Sequence, residues 1–184
     1  MITGIGGQGV QLAAQILARA AVLEGRHVMM LGLYGGQMRG GNTDSTIVVS
    51  DAPIETPPIV SRTGSAIAMH HEFWEPLRSR LRPQAVVLIN AGLFEGEIDR
   101  GAWRVTELPA SRIANDLGIA LAGSLVMIGA YAAVTQLVGI DSLVRAMEQS
   151  LPSYRRQHAP ANAKALRAGF DAAPAGTAPA WRES

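Results

Sequence analysis

Hydrophobic positions in this chain fall into short runs separated by glycine-rich turns. Residues 1–3 read as the end of a strand that runs into a first glycine cluster at Gly4, Gly6, Gly7 and Gly9. Behind it, Val10, Leu12, Ala13, Ala14, Ile16, Leu17, Ala20, Ala21 and Leu23 are broken only by small or polar residues, with Arg19 and Glu24 the charges. That pattern predicts a helix packed on most of its circumference, and Gly25 suits its C-terminal stop. An apolar strand over 27–33 follows, then a second glycine-rich loop at 34–41 and a third strand over 44–50. Pro53, Pro57 and Pro58 make 51–64 an extended connection. A strand over 65–69 leads to a helix around 72–81, and Pro83 opens a strand over 85–90. Residues 91–100 are turn-rich, and 103–107 suit one more strand. From Pro109 onward the period is helical, over 110–117, 121–138, 142–150 and 162–172, with Asp141 where an N-cap belongs.

Strands alternating with helices at this spacing predict an α/β fold. The expected form is Rossmann-like and doubly wound, a mostly parallel sheet covered on both faces, with a helical C-terminal part. With 184 residues the chain has the size of one domain, drawn as 1–172, with 173–184 (Ala, Pro and Gly around Trp181) as a flexible tail. The run 117–140 carries no charge and is long enough to span a bilayer, but its Gly, Ser, Thr and Gln content suits a buried helix better. The N-terminus shows no signal-peptide pattern, so the expectation is a cytoplasmic protein with no membrane contact.

Composition narrows the chemistry. Lys and Arg number 16 against 15 Asp and Glu, a net charge of +1, which gives no footprint for a nucleic-acid partner. Apolar residues at 48% and charged residues at 17% supply a core and exclude a disordered chain. With no cysteine, the chain has no disulfide, no thiolate-held iron–sulfur cluster, no Cys-bound zinc and no Cys nucleophile. Lys164, its single lysine, leaves little room for Schiff-base chemistry.

Two segments carry candidate binding residues. Gly4, Gly6 and Gly9 have the G-x-G-x-x-G spacing between strand and helix, with Gly7 and Gln8 inside it, and free N–H groups at the helix start favour an anion. The second strand ends at Leu33 and Tyr34 without the acidic residue that holds a nicotinamide cofactor's ribose. A purely structural glycine turn therefore stays open beside a ligand loop. The second segment contains Tyr34, Arg39, Gly40, Gly41, Asn42 and Thr43. Read as a loop at the C-terminal end of a central strand, it places Arg39 to clamp a phosphate or carboxylate, with Asn42 and Thr43 as neutral donors. A subunit contact in which Arg39 meets a partner's carboxylate is the alternative. Elsewhere, His70 and His71 are adjacent and lack a third ligand, so a capping role is expected and no metal site. Arg78, Arg80 and Arg82 suit a solvated helix end, and Glu95 and Glu97 make no acid–base pair. No catalytic centre emerges.

Taken in order, these motifs resemble the gamma subunit (gamma domain) of 2-oxoacid:ferredoxin or acceptor oxidoreductases, the pyruvate, ketoisovalerate and indolepyruvate group. The resemblance rests on Gly4-Ile5-Gly6-Gly7-Gln8-Gly9-Val10, then Tyr34, Gly35, Arg39, Gly40 and Gly41, then Val49-Ser50-Asp51-Ala52-Pro53-Ile54 with Pro57. Ile67-Ala68-Met69 and the late Asn162, Ala165 and Gly169 complete it, so it spans about 1–172. It departs in lacking the few residues that usually precede the first glycine and in having Ser124 where relatives often show Asn. The resemblance implies a subunit without a redox centre of its own. In such complexes a 2-oxoacid is oxidatively decarboxylated with coenzyme A, giving acyl-CoA, carbon dioxide and reduced ferredoxin or another acceptor. Thiamine diphosphate, Mg2+ and [4Fe-4S] clusters are expected on alpha-, beta- and delta-type partner chains. This chain supports assembly, and its two glycine loops contact coenzyme A or shape interfaces. The rival readings are a ligand-free Rossmann-like interaction module and a stand-alone dinucleotide-binding reductase.

Overall fold

The computed structural model describes residues 1–34 and 40–181. Six strands form one sheet: β1 (Ile2–Ile5), β2 (His27–Tyr34), β3 (Asn42–Ser50), β4 (Thr63–Ala68), β5 (Leu81–Asn90) and β6 (Arg104–Leu108), in the order β2-β3-β1-β4-β5-β6. The helices are α1 (Val10–Leu23), α2 (Trp74–Arg78), α3 (Ala110–Asp116), α4 (Gly123–Thr135), α5 (Ile140–Ser150) and α6 (Ala159–Ala172). β1, β4, β5 and β6 pair in parallel, whereas β3 runs antiparallel to both its neighbours. The sheet is therefore mostly parallel, as expected, with one reversed strand.

That reversed strand corrects one expectation. β2 is the edge of the sheet and not a central strand. β3 folds back on β2 through a hairpin, pairing from Tyr34↔Thr43 to His27↔Ser50, and takes the place beside β1. The second glycine segment thus joins the two strands of a hairpin at the edge of the sheet. Two smaller differences have local causes. The helix expected around 72–81 is only a 3₁₀ turn at His71–Phe73 followed by α2, because the chain re-enters the sheet at Leu81. Helix α5 starts two residues earlier than expected, with Gly139 at the N-cap. Asp141 sits in the first turn, where its Oδ1 accepts from Arg167 Nη2 at 2.8 Å.

Alternation along the strands splits the core in two. Ile67 of β4 and Leu88 of β5 face a large cluster with α1, α3, α4, α5 and α6. Their neighbours Ala66, Ala68, Val87 and Ile89 face a smaller one with Trp74 and Leu77. There Trp74 meets Phe94 and Trp103 edge-on, at centroid distances of 5.4 and 5.8 Å. Helix α4 is buried at every position, which explains its lack of charge without a membrane. Among the described residues no helix is long and apolar enough to cross a bilayer. Its contact with α6 depends on glycine at two points. A Cβ on Gly129 would run into the Leu166 carbonyl, and one on Gly169 into the Val126 carbonyl. The two backbones touch there.

Residues 173–181, expected as a tail, lie against α4. The N–H groups of Gly176, Ala178 and Ala180 donate to the carbonyls of Ala133, Val134 and Thr135. Trp181 Nε1 donates to the Leu137 carbonyl at 3.0 Å, and the Arg26 guanidinium stacks 3.9 Å from the Trp181 ring. The last carbonyls of a buried helix need partners, and the tail's own amides supply them. Residues 182–184 lie outside the described residues. Beneath the N-terminal ends of the parallel strands, Met1, Thr46, Ser65, Tyr131 and Trp181 line a cavity of about 490 Å³.

Candidate functional site

The short β1 delivers the chain into the first glycine loop at the opposite, C-terminal edge of the sheet. Gly4 allows the strand to pass close to its neighbours, because a Cβ there would stand 2.9 Å from both Met69 Cβ and Val10 Cγ2. The Ile5 N–H donates to Gln8 Oε1 at 2.9 Å, so the Gln8 side chain braces the turn from inside. Gly7 and Gly9 adopt φ of 104° and 76°, a left-handed region that strains any other residue except at a cost of about 1 kcal/mol or more.

Gly9 is the N-cap of α1 and offers no side chain to it. The Ala13 N–H bonds to the Gly9 carbonyl, which leaves the first-turn N–H groups of α1 without an intrahelical acceptor. Positive helix potential and free donors thus point outward from Gly9.

The two glycine segments meet. Gly6 N–H donates to the Gly41 carbonyl at 2.8 Å, and Gly40 turns with φ of 97°. Of the remaining expected site residues, Asn42 and Thr43 do not join them as free donors. Asn42 Nδ2 donates to Asp44 Oδ2 at 2.9 Å, and Thr3 Oγ1 donates to Asp44 Oδ1 at 2.5 Å. Thr43 is buried within the sheet. Arg39 and the side chain of Tyr34 lie outside the described residues.

A concavity of about 500 Å³ opens beside Gly9. Leu12, Ile119, Leu125 and Leu151 form its apolar wall, and Ser124, Arg155, His158 and Asn162 its polar one. No acidic residue lines it among the described residues. Ser124 opens α4 and is 3% exposed; its Oγ would lie 2.8 Å from a Cβ on Gly9. Its hydroxyl makes no hydrogen bond among the described residues, whereas the nearby Asn90 and Ser111 satisfy each other. These residues come from three distant parts of the chain. The one local hint was the basic run Arg155-Arg156-Gln157-His158.

The other polar candidates have local partners. His70 Nδ1 accepts from the Glu72 N–H at 3.2 Å and caps the short turn that follows. Glu24 Oε1 accepts from Gly139 N–H at 2.7 Å. No group of three or more His, Cys, Asp or Glu is placed to hold a metal among the described residues.

The chain matches the pyruvate ferredoxin/flavodoxin oxidoreductase family over residues 1–172. It belongs to that family. It is 29% identical over 157 residues to the 2-oxoglutarate synthase subunit KorC of Methanocaldococcus jannaschii, with 82% of each chain covered. Its fold is that of the gamma subunit of keto/oxoacid ferredoxin oxidoreductase from Geobacter sulfurreducens PCA, at a TM-score of 0.75 and 24% identity, over 92% of this chain and 94% of that one. The 2-oxoglutarate:ferredoxin oxidoreductase from Magnetococcus marinus, solved with 2-oxoglutarate, coenzyme A and succinyl-CoA, shares the fold at a TM-score of 0.84 and 16% identity. There this family member covers all of its own length but only 32% of the longer chain.

Proposed function

We propose that this family member is the gamma-type subunit of a cytoplasmic 2-oxoacid:acceptor oxidoreductase, and that its joined glycine loops receive the phosphates of coenzyme A. The observation that carries the reading is the Gly6–Gly41 hydrogen bond, which unites both loops beside the uncapped start of α1. Backbone donors at a helix N-terminus suit a phosphate, and left-handed glycines let it approach the main chain. With no cysteine, this chain offers no thiolates for an iron–sulfur cluster. Clusters and thiamine diphosphate, which supplies the carbanion chemistry of decarboxylation, then reside on alpha-, beta- and delta-type partners. The isolated subunit is inactive on this reading. Co-purification of the native chain should recover those partners. In the reconstituted complex, Gly9→Ala and Arg39→Ala should raise the KM for coenzyme A while the KM for the 2-oxoacid stays put. An intact complex with an unchanged KM for coenzyme A in both variants rejects the ligand role and leaves an interaction module. A stable, active, isolated chain rejects the subunit reading altogether.

A further inference from the structure

We infer that Ser124, Arg155 and His158 form a second wall of the ligand site, holding a phosphate group whose uncharged arm lies along Leu12, Leu125 and Leu151. The inference rests on the coenzyme A reading and assigns residues from the C-terminal half that neither glycine loop contains.

Three independent features converge on one concavity. The first is the helix start, where α1 presents N–H groups without acceptors and Gly9 provides no cap. The second is Ser124, almost wholly buried, lining the same space with a hydroxyl that has no partner among the described residues. Without such a partner, that hydroxyl is available to donate to a ligand oxygen. The third is charge: Arg155, on the 3₁₀ turn Ser153–His158, lines the same space with the His158 imidazole beside it, and no acidic side chain lines it among the described residues.

Size and polarity decide the class of ligand. A small 2-oxoacid would fill only a fraction of about 500 Å³, a volume that suits a ligand of drug or cofactor size. Leucine side chains together with one arginine and free N–H donors fit a long molecule with one strongly anionic group. Arginine recognises phosphate oxygens in a two-pronged manner, and serine adds a neutral donor.

The test uses the reconstituted complex, with coenzyme A as the varied substrate. Arg155→Ala should raise the KM for coenzyme A about tenfold, the effect of losing one charge-assisted hydrogen bond. Arg155→Lys should recover part of that loss, and Ser124→Ala should raise the KM about threefold. The loss falls on KM more than on kcat. Arg78→Ala, on the exposed pair with Glu75, serves as a control with unchanged kinetics. If Gly9→Ala raises the KM but Arg155→Ala and Ser124→Ala do not, the second wall is wrong and the glycine-loop reading stands. If none of the three moves it, both fall. If Arg155→Ala instead blocks co-purification with the partner chains, the concavity is a subunit contact and the inference is overturned.

Discussion

Helix α4 has a cavity at each end, and the two are built from opposite materials. They are almost equal in volume, and arginines line both, Arg155 at the Gly9 end and Arg62 and Arg82 at the Met1 end. At its start, Ser124 faces a helix terminus with free donors and a hydroxyl without a partner. At its end, the polar groups on the helix itself have partners. Ser65 Oγ and Tyr131 Oη lie 2.8 Å apart, and Thr135 Oγ1 donates to the Tyr131 carbonyl at 2.7 Å. The tail then occupies the helix's last carbonyls. Volume and positive charge therefore do not distinguish a binding site from a structural gap. What differs is the helix's own hydrogen-bonding capacity, open at its Ser124 end and taken up at its Thr135 end.

The comparison can be broken most forcefully in the middle, where both ends depend on the same helix. Gly129→Val forces a side chain into the Leu166 carbonyl, and should cost about 3 kcal/mol or more in chemical denaturation. It should disturb coenzyme A binding and global stability together; intact stability would show that the α4–α6 contact is looser than described.

A smaller effect belongs to the Met1 end alone. In a chain that starts at Met1, burial, reinforced by repulsion from Arg80 and opposed by Asp44, lowers the Met1 ammonium from 8.0 to about 5. In that interval the unfolded chain binds the proton and the folded chain does not, so stability should climb from pH 5 to pH 8 and level off above. Replacing the ammonium with an amide, through a short apolar extension ahead of Met1, should flatten this part of the thermal-melting profile. A slope unchanged by the extension would assign the pH dependence to other groups.

The mildest change sharpens the contrast. Tyr131→Phe strands the Ser65 hydroxyl and should cost about 1 kcal/mol, with no change in the KM for coenzyme A. Burial raises the Tyr131 phenol above its ordinary pKa, so that cost should be constant through neutral pH. A raised KM in this variant would erase the distinction between the two ends.

The readability of these features from the chain followed the range of the interactions that make them. The first glycine loop was plain because strand, turn and helix are contiguous, and Gly9 stands at the helix start where its spacing puts it. The place of β2 was hidden, since an apolar run of eight residues reads the same at an edge as at a centre. Only the pairing of β3 with both β1 and β2 decides it. Asn42 looked like a free donor beside Gly41, but Asp44, two residues on, claims its amide. Arg155 and His158 approach Gly9 only when α5 and α6 pack. The Ala- and Pro-rich end reads as mobile by composition, because nothing local announces that α4 will leave three carbonyls for it.

The tail has a consequence for how this fold travels between genes. Met1 and Trp181 border the same cavity, so both ends of the described chain lie at one edge of the sheet. Neighbouring ends let a domain be spliced into another polypeptide as a cassette, with both joins on one side and its interior undisturbed. The glycine loops, on the far edge, are untouched by such a splice. The same fold makes up nearly all of the Geobacter gamma subunit and about a third of a longer chain in the Magnetococcus enzyme.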